Sequence, residues 1–290
     1  MTDEDYPALY QAADDTSRYA QKVYLSLTAA YLILLVLGAT FTIYADRSAT
    51  SGIIAAIFFL STISLSILQA SRRFDKTWYN GRAVAESVKT RTWRFMMRAE
   101  PYEDADSVAV VSNLFCSDLH EILRQNRSLA EYLGGSISTK EPISTKMLSV
   151  RSLSVPERLS LYQQERIDEQ RGWYARKYVY NRKMEKIWFA VMLCMNTIAL
   201  ILLLIQIAQP TLDTLPVEAI IVAAGAALTW TQVKRFQEHS AAYSLTAHEI
   251  GIVRQQSAFV NNERQLSDFV KDAENAFSRE HTQWVARRDV

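Results

Sequence analysis

The sequence predicts an all-α membrane protein: two transmembrane helical hairpins with long cytosolic helical extensions, built as an architectural duplication. Three observations lead there. Charge is absent from long runs: 23 residues between Lys22 and Asp46, 24 between Arg47 and Arg72, and 26 between Lys186 and Asp213. A helix needs roughly 20 predominantly apolar residues to cross ~30 Å of hydrocarbon. The rest of the chain shows helical periodicity with no strand signal of useful length, and only 8 Gly and 6 Pro punctuate 290 residues. The averages conceal this, because 49% hydrophobic and 22% charged residues with a net charge of +1 read as a soluble globule. The near-neutral balance excludes a dedicated nucleic-acid binder, which draws its affinity from excess Lys and Arg. Two Cys exclude a disulfide framework.

Residues 1–22 carry five acids against Arg18 and Lys22, the wrong flank for a cleaved signal peptide. Span one is expected at about 23–45 and span two at about 52–70. No breaker follows span two, so the helix from Ser51 to about Ala99 is expected to run on for about 70 Å. Its cytosolic part, 71–99, carries an apolar stripe of Phe74, Trp78, Val84, Ala85, Val88 and Trp93. A second helix, 104–133, turns Val108, Val111, Phe115, Leu119, Ile122 and Leu129 inward and stops at Gly134. The first unit is thus 1–134, followed by a Ser/Thr/Gly-rich linker, 135–153, read as loop.

The second unit, 154–290, opens on a capping box at Ser154 and Glu157. The helix from 155 to 186 is expected to flow into span three, 187–208. The fourth apolar run, Ala219–Val233, has only 15 residues. It becomes adequate as a span of 216–233 if Pro216 opens the helix, with Glu218 and Trp230 at opposite interfaces. Helices at 234–260 and 263–287 follow, the last placing Phe269, Ala273, Ala276 and Phe277 on one side. At a shift of 162, Arg73 meets Arg235, Phe74 meets Phe236 and Ala85 meets Ala247, so the order span, extension, break and helix recurs.

The connections 45–51 and 209–217 contain one base between them, whereas 71–186 holds 21 Lys and Arg against 15 Asp and Glu. The positive-inside rule then puts both termini and the middle segment in the cytoplasm of a multi-pass membrane protein. Cys116 lies in reducing cytosol and Cys194 within a span, so no disulfide is expected.

Catalytic chemistry finds no support. His120, His239, His248 and His281 lack zinc-site spacing, and phosphate loops, nucleophile elbows and paired-Cys motifs are absent. The reading is therefore no enzyme, no metal and no cofactor. Polar residues in the spans are the remaining candidates. Thr62, Ser66, Gln69 and Arg73 fall on one stripe of span two and are candidate pore-lining residues. The alternative is that the hydroxyls bond back to their own helix or join helices. Asn196 and Thr197 are polar near the middle of span three, and none of these groups is ionised. Ala219, Ala223 and Ala227 recur at four-residue spacing and are candidates for close helix packing.

The stretch from Val150 to Lys183 resembles the entry to the type 1 SLATT domain, through Tyr162, Arg166, Ile167, Asp168, Gln170, Trp173, Tyr174 and Lys177. The tail from Phe277 to Arg288 is similar to that domain's closing motif, with Ser278, Arg279, Glu280, His281 and Trp284 in place. Thr77 to Tyr102 resembles the companion type 3 domain through Trp78, Arg82, Ala85, Glu86, Lys89, Trp93 and Pro101-Tyr102. The likeness covers about residues 10–288. It implies a two-transmembrane effector of a bacterial antiviral system, forming pores that kill or arrest an infected cell under control of a sensor or nucleotide messenger. No sensor or nucleotide-generating domain is recognisable in this chain, so the trigger would come from a cytosolic partner. Trp78, Arg82, Glu86, Lys89, Arg166, Gln170, Trp173 and Lys177 become candidate couplers between trigger and membrane, or alternatively residues that knit long helices together. Four spans do not enclose a path alone, so a pore implies a homo-oligomer in the lipid bilayer. The alternatives are a constitutive small ion channel and a non-conducting membrane scaffold.

Overall fold

The computed structural model describes residues 1–45, 48–103, 107–130, 141–212 and 215–286. Among them there is no strand. Eleven α-helices are described: α1 Ala8–Thr42, α2 Ala49–Arg72, α3 Phe74–Met97, α4 Val108–Gln125, α5 Arg127–Ala130, α6 Thr145–Arg151, α7 Val155–Tyr162, α8 Glu169–Ala208, α9 Val217–Lys234, α10 Phe236–Gln256 and α11 Glu263–Ala286. A π-helical segment, Gln163–Asp168, joins α7 to α8, so the backbone is helical from Val155 to Ala208 as the sequence predicts.

The chain forms two compact units, and neither is a sequence half. The helical body comprises Met1–Gln21, Asp75–Tyr174 and Leu245–Val290; the apolar unit comprises Lys22–Phe74 and Ala175–Ser244. Each unit therefore takes segments from both halves.

In the apolar unit, α1 and α2 form the first hairpin. A Cβ added to Gly38 would meet the Phe59 ring at 2.9 Å, so glycine is what lets that ring approach. Nearby, the Phe41 and Phe58 rings lie 5.6 Å apart. The second hairpin is α8 and α9, whose Trp188 and Trp230 rings lie 6.4 Å apart. Among the described residues, three helical stretches are long and apolar enough to cross a membrane, containing the three expected long spans. Their most apolar windows are only 22%, 11% and 6% buried within the chain, which leaves the side chains for lipid or another protein. The expected fourth span, α9, is not among them. It has 18 residues, and Glu218 in its first turn and Lys234 in its last shorten the apolar run.

The continuous helix expected from Ser51 to Ala99 is interrupted. Arg73 adopts a left-handed conformation (φ 45°, ψ 43°) and its N–H bonds the Gln69 carbonyl at 3.1 Å, closing α2 before α3 begins. The same event ends α9, where Arg235 (φ 46°, ψ 42°) bonds the Thr231 carbonyl at 2.8 Å. The break falls at the predicted repeat shift. A polar C-terminal cap on an apolar helix satisfies a carbonyl, and a cation there suits the negative end of the helix dipole.

In the body, α1 begins at Ala8, well before the expected span, and buries Tyr10, Ala13, Ser17 and Ala20. It packs closely on α3: a Cβ at Gly81 would meet the Ala13 carbonyl oxygen at 2.9 Å, and Ser17 Oγ donates to the Trp78 carbonyl at 2.9 Å. Helix α3 buries Val84, Ala85, Val88 and Trp93 as its stripe predicts, and then Phe95, Met96 and Met97 in its last turn. Helix α4 buries Val111, Phe115 and Leu119, but Val108, expected inward, is 54% exposed because it opens the helix after the Ser107 N-cap. The stop at Gly134 and residues 135–140 of the linker lie outside the described residues. The linker's second part is not a loop. Ser144 caps α6 by accepting from the Met147 N–H at 3.2 Å, and Met147, Val150 and Arg151 are buried. Helix α11 turns Leu266, Val270, Ala273, Glu274 and Phe277 inward, a face rotated from the expected one, with Phe269 and Ala276 at its margins.

Candidate functional site

The body is organised around one buried carboxylate. Glu274 on α11 accepts from Arg166 Nε (2.9 Å) and Nη2 (2.8 Å), from the Tyr162 hydroxyl (2.9 Å) and from Thr90 Oγ1 on α3 (3.0 Å). Arg166 stands in the π-helical segment, fully buried, with its guanidinium 5.0 Å from the Phe277 ring centre and 3.3 Å from Glu86 on α3. Both side chains have left water completely, and the hydrogen bonds to the carboxylate offset the cost of desolvating the pair. One donor, Arg166 Nη1, has no hydrogen-bond partner. Tyr162 and Arg166, four residues apart, share one side of the helix and converge on Glu274.

Next to this pair, Trp93 Nε1 donates to the Tyr6 hydroxyl at 2.9 Å, and the Trp93 and Tyr162 rings meet edge-on at 5.5 Å. Burial raises the Tyr6 hydroxyl pKa, which keeps it neutral beside the ion pair. Lys89 Nζ lies 5.9 Å from the Tyr6 ring.

The structure brings the two predicted coupling segments together. Glu86 meets Arg166, and the Arg82 guanidinium lies 5.8 Å from the Trp173 ring. Trp78 stacks on Tyr79 at 4.6 Å and gives its carbonyl to Ser17. Two predicted couplers stand apart from the centre: Gln170 bonds Glu169 on the surface at 2.8 Å, and Lys177 belongs to the apolar unit.

A second set of buried cations closes the end of α3. Arg158 Nη1 donates to the Met97 carbonyl at 2.8 Å and pairs with Glu263. Arg151 donates to the Phe95 carbonyl and, at 2.9 Å, to that of Tyr102. The last carbonyls of a helix have no internal donor, and here two arginines from later in the chain supply it. Tyr102 donates to Asp118, and burial raises its pKa.

The predicted polar stripe of α2 lies in the apolar unit. Thr62 Oγ1 donates to the Phe59 carbonyl at 2.7 Å and Ser66 Oγ to the Thr62 carbonyl at 2.9 Å. Thr62 is buried, Gln69 is half-buried, and Ser66 and Arg73 are exposed. Asn196 and Thr197 likewise bond back to Met192 and Leu193, at 2.8 Å each. Ala219 and Ala227 are buried and Ala223 is half-buried, while Gly225 faces open space.

Sequence reasoning missed Glu274, Thr90, Tyr6, Arg151 and Arg158. Glu274 had a signal: a lone acid four residues after Val270 and one after Ala273 lies on an apolar face. The side chains of the closing motif, Ser278 to Arg288, lie outside the described residues. Among the residues described, no cluster of His, Cys, Asp and Glu is arranged to hold a metal ion.

Apolar hairpins joined in sequence to a charge-locked helical body define an all-helical membrane protein. Residues 7–159 match SMODS and SLOG-associating 2TM effector domain 3, and residues 162–284 match SMODS and SLOG-associating 2TM effector domain 1. The chain belongs to this SLATT family, as a tandem of its type 3 and type 1 domains. The family's domains are membrane-linked effectors associated with conflict and defence systems. Comparison with curated proteins and with solved structures returns no match. The domain junction falls between residues 159 and 162, so the first match takes in the expected linker, α6 and most of α7.

Proposed function

We propose that the protein is a pore-forming effector of a bacterial antiviral system, a homo-oligomer of the inner membrane gated by a partner sensor or nucleotide signal. The observation that carries this is the near-complete exposure of the span windows, down to 6% buried in Val155–Ala208. A protomer that covers so little of its membrane surface is suited to assemble with copies of itself. The positive-inside bias supports a topology with both termini in the cytoplasm. Thr62, Ser66, Gln69 and Arg73 are the lining candidates, and the Arg166–Glu274–Glu86 centre is the coupling candidate, because one carboxylate ties α3, the π-helical segment and α11 together.

A non-conducting membrane scaffold is the second reading. It is favoured by the hydroxyls of α2, which donate into their own helix. Purified protein reconstituted into vesicles loaded with potassium or a small dye separates the two. Release is expected once the cognate signal is added, and reduced release is expected for Thr62→Leu/Ser66→Leu. Vesicles that stay sealed in the presence of partner and nucleotide would support the scaffold instead.

A further inference from the structure

The apolar unit carries an incompletely bonded amide on an outer face. Asn196 stands on α8 in the uncharged stretch from Ile187 to Ala208, and its side chain is exposed. At 1.5 Å per residue it lies about 14 Å from the start of that stretch and about 18 Å from its end. A side chain with one methylene cannot carry its polar end to either interface, as lysine or arginine would. Asn196 Nδ2 donates to the Met192 carbonyl at 2.8 Å. The amide has a second N–H and a carbonyl oxygen, and among the described residues no hydrogen bond meets either. The exposed hydroxyls of Ser61, Ser64 and Thr197, by contrast, give their one proton to their own helix.

The surface around Asn196 is patterned. Phe189, Leu193, Asn196, Leu200, Leu203 and Ile207 follow one another at alternating steps of four and three residues. The five apolar members are 43–67% exposed. At roughly 100° per residue, all six fall within about 40° of one line along α8. This is the heptad spacing with which two helices stay in contact along their length, here for about 27 Å. Ala199, which α8 buries within the apolar unit, lies about 80° from that line. Lipid tails covering the face would leave the amide unmet. A water-filled path calls for polar groups along the same line, and on either side of Asn196 the line holds only Phe, Leu and Ile. A second copy of this chain fits both features. Copies in one membrane share an orientation, so packing α8 on its counterpart about an axis normal to the bilayer sets the two Asn196 amides at the same depth. An amide is complementary to itself, because the N–H of each meets the carbonyl oxygen of the other.

We propose that this seam of α8 is the contact between two copies of the protein in the membrane, with the Asn196 amides hydrogen-bonded to each other at its centre. The proposal rests on the homo-oligomer proposed above and names the surface that builds it; it does not depend on conduction. Full-length protein carrying Cys116→Ser and Cys194→Ala, reconstituted into vesicles and oxidised with copper phenanthroline, provides the test. Leu193→Cys and Leu200→Cys should each form disulfide-linked dimers about tenfold faster than Ile198→Cys or Ile205→Cys, which change exposed residues on the opposite side of α8. On dilution with lipid, Asn196→Leu should lose its dimers at about fivefold lower lipid content than wild type, and Asn196→Gln should keep them. Equal rates at the four cysteine positions overturn the seam and leave the homo-oligomer standing. A protein that cross-links at none of them and sediments as a monomer overturns both. An Asn196→Leu variant that dilutes like wild type overturns the amide pair. Rapid labelling of Asn196→Cys by a membrane-impermeant maleimide places the face on a water-filled path, which also overturns the proposal.

Discussion

Glu274 is fully buried, and Arg166, Tyr162 and Thr90 hydrogen-bond its carboxylate. Removing one partner of such a pair leaves the other as an uncompensated ion in low dielectric, which costs about 3–5 kcal/mol. Glu274→Gln and Arg166→Met should each lower the thermal unfolding midpoint by about 10 °C. The double variant Arg166→Met/Glu274→Leu should lose less than the sum of the single losses, because no charge then remains unpaired. Additive losses in that cycle would mean that the two groups are not coupled. This residue also marks how far sequence could reach. Arg166 and Glu86 were legible through the family resemblance, but Thr90 and Glu274 are 184 residues apart, and periodicity carries no information about which helices meet. The apolar face of α11 was drawn through Phe269 and Ala276 because an acid is counted as outward, and that assumption fails where the acid has a buried partner.

At the scale of elements, helix identity was legible and helix interruption was not. Apolar runs and periodicity located the long helices, since both depend only on local composition. The breaks at Arg73 and Arg235 carry no Gly or Pro, so nothing in composition announces them, and the repeat aligns the two arginines without implying a break at either. Helix α6 was taken for loop because its neighbours are Ser and Thr, yet Met147 and Val150 give it a buried face and Arg151 a helix end to cap. The left-handed arginines are testable. A side chain in that conformation costs roughly 1–2 kcal/mol relative to glycine, and only part of that is returned by the charge at the helix end. Arg73→Gly and Arg235→Gly should thus leave the fold intact and shift detergent-solubilised unfolding by less than about 1 kcal/mol in either direction. Arg73→Val and Arg235→Val should each lose about 1–2 kcal/mol, since a β-branched residue tolerates positive φ poorly. Valine variants as stable as wild type would place the breaks elsewhere.

On the scale of the molecule, the tandem of family domains does not map onto independent folding units. The body joins them along its length: Glu86 to Arg166, Thr90 to Glu274, Trp93 against Tyr162, Arg94 to Asn275 at 2.6 Å, Arg158 to Glu263, and Ser267 to Glu103 at 2.8 Å. An isolated first domain, residues 1–159, would keep α3 against α1 and α4 but lose Arg166 from Glu86, Glu274 from Thr90, Tyr162 from Trp93 and Glu263 from Arg158. An isolated second domain would keep Arg166 with Glu274 but lose Thr90, Glu86 and the Trp93 ring that covers Tyr162. Each fragment then exposes apolar surface and strands polar groups, at a cost of several kcal/mol that neither half offsets alone. Expressed separately, each fragment should be cut by protease within its body helices far faster than the intact chain. Expressed together, with the chain divided between residues 159 and 162, the fragments should co-purify and regain the protection of wild type. A first fragment as protected alone as in the pair would show that the duplication is one of folding units and not only of sequence.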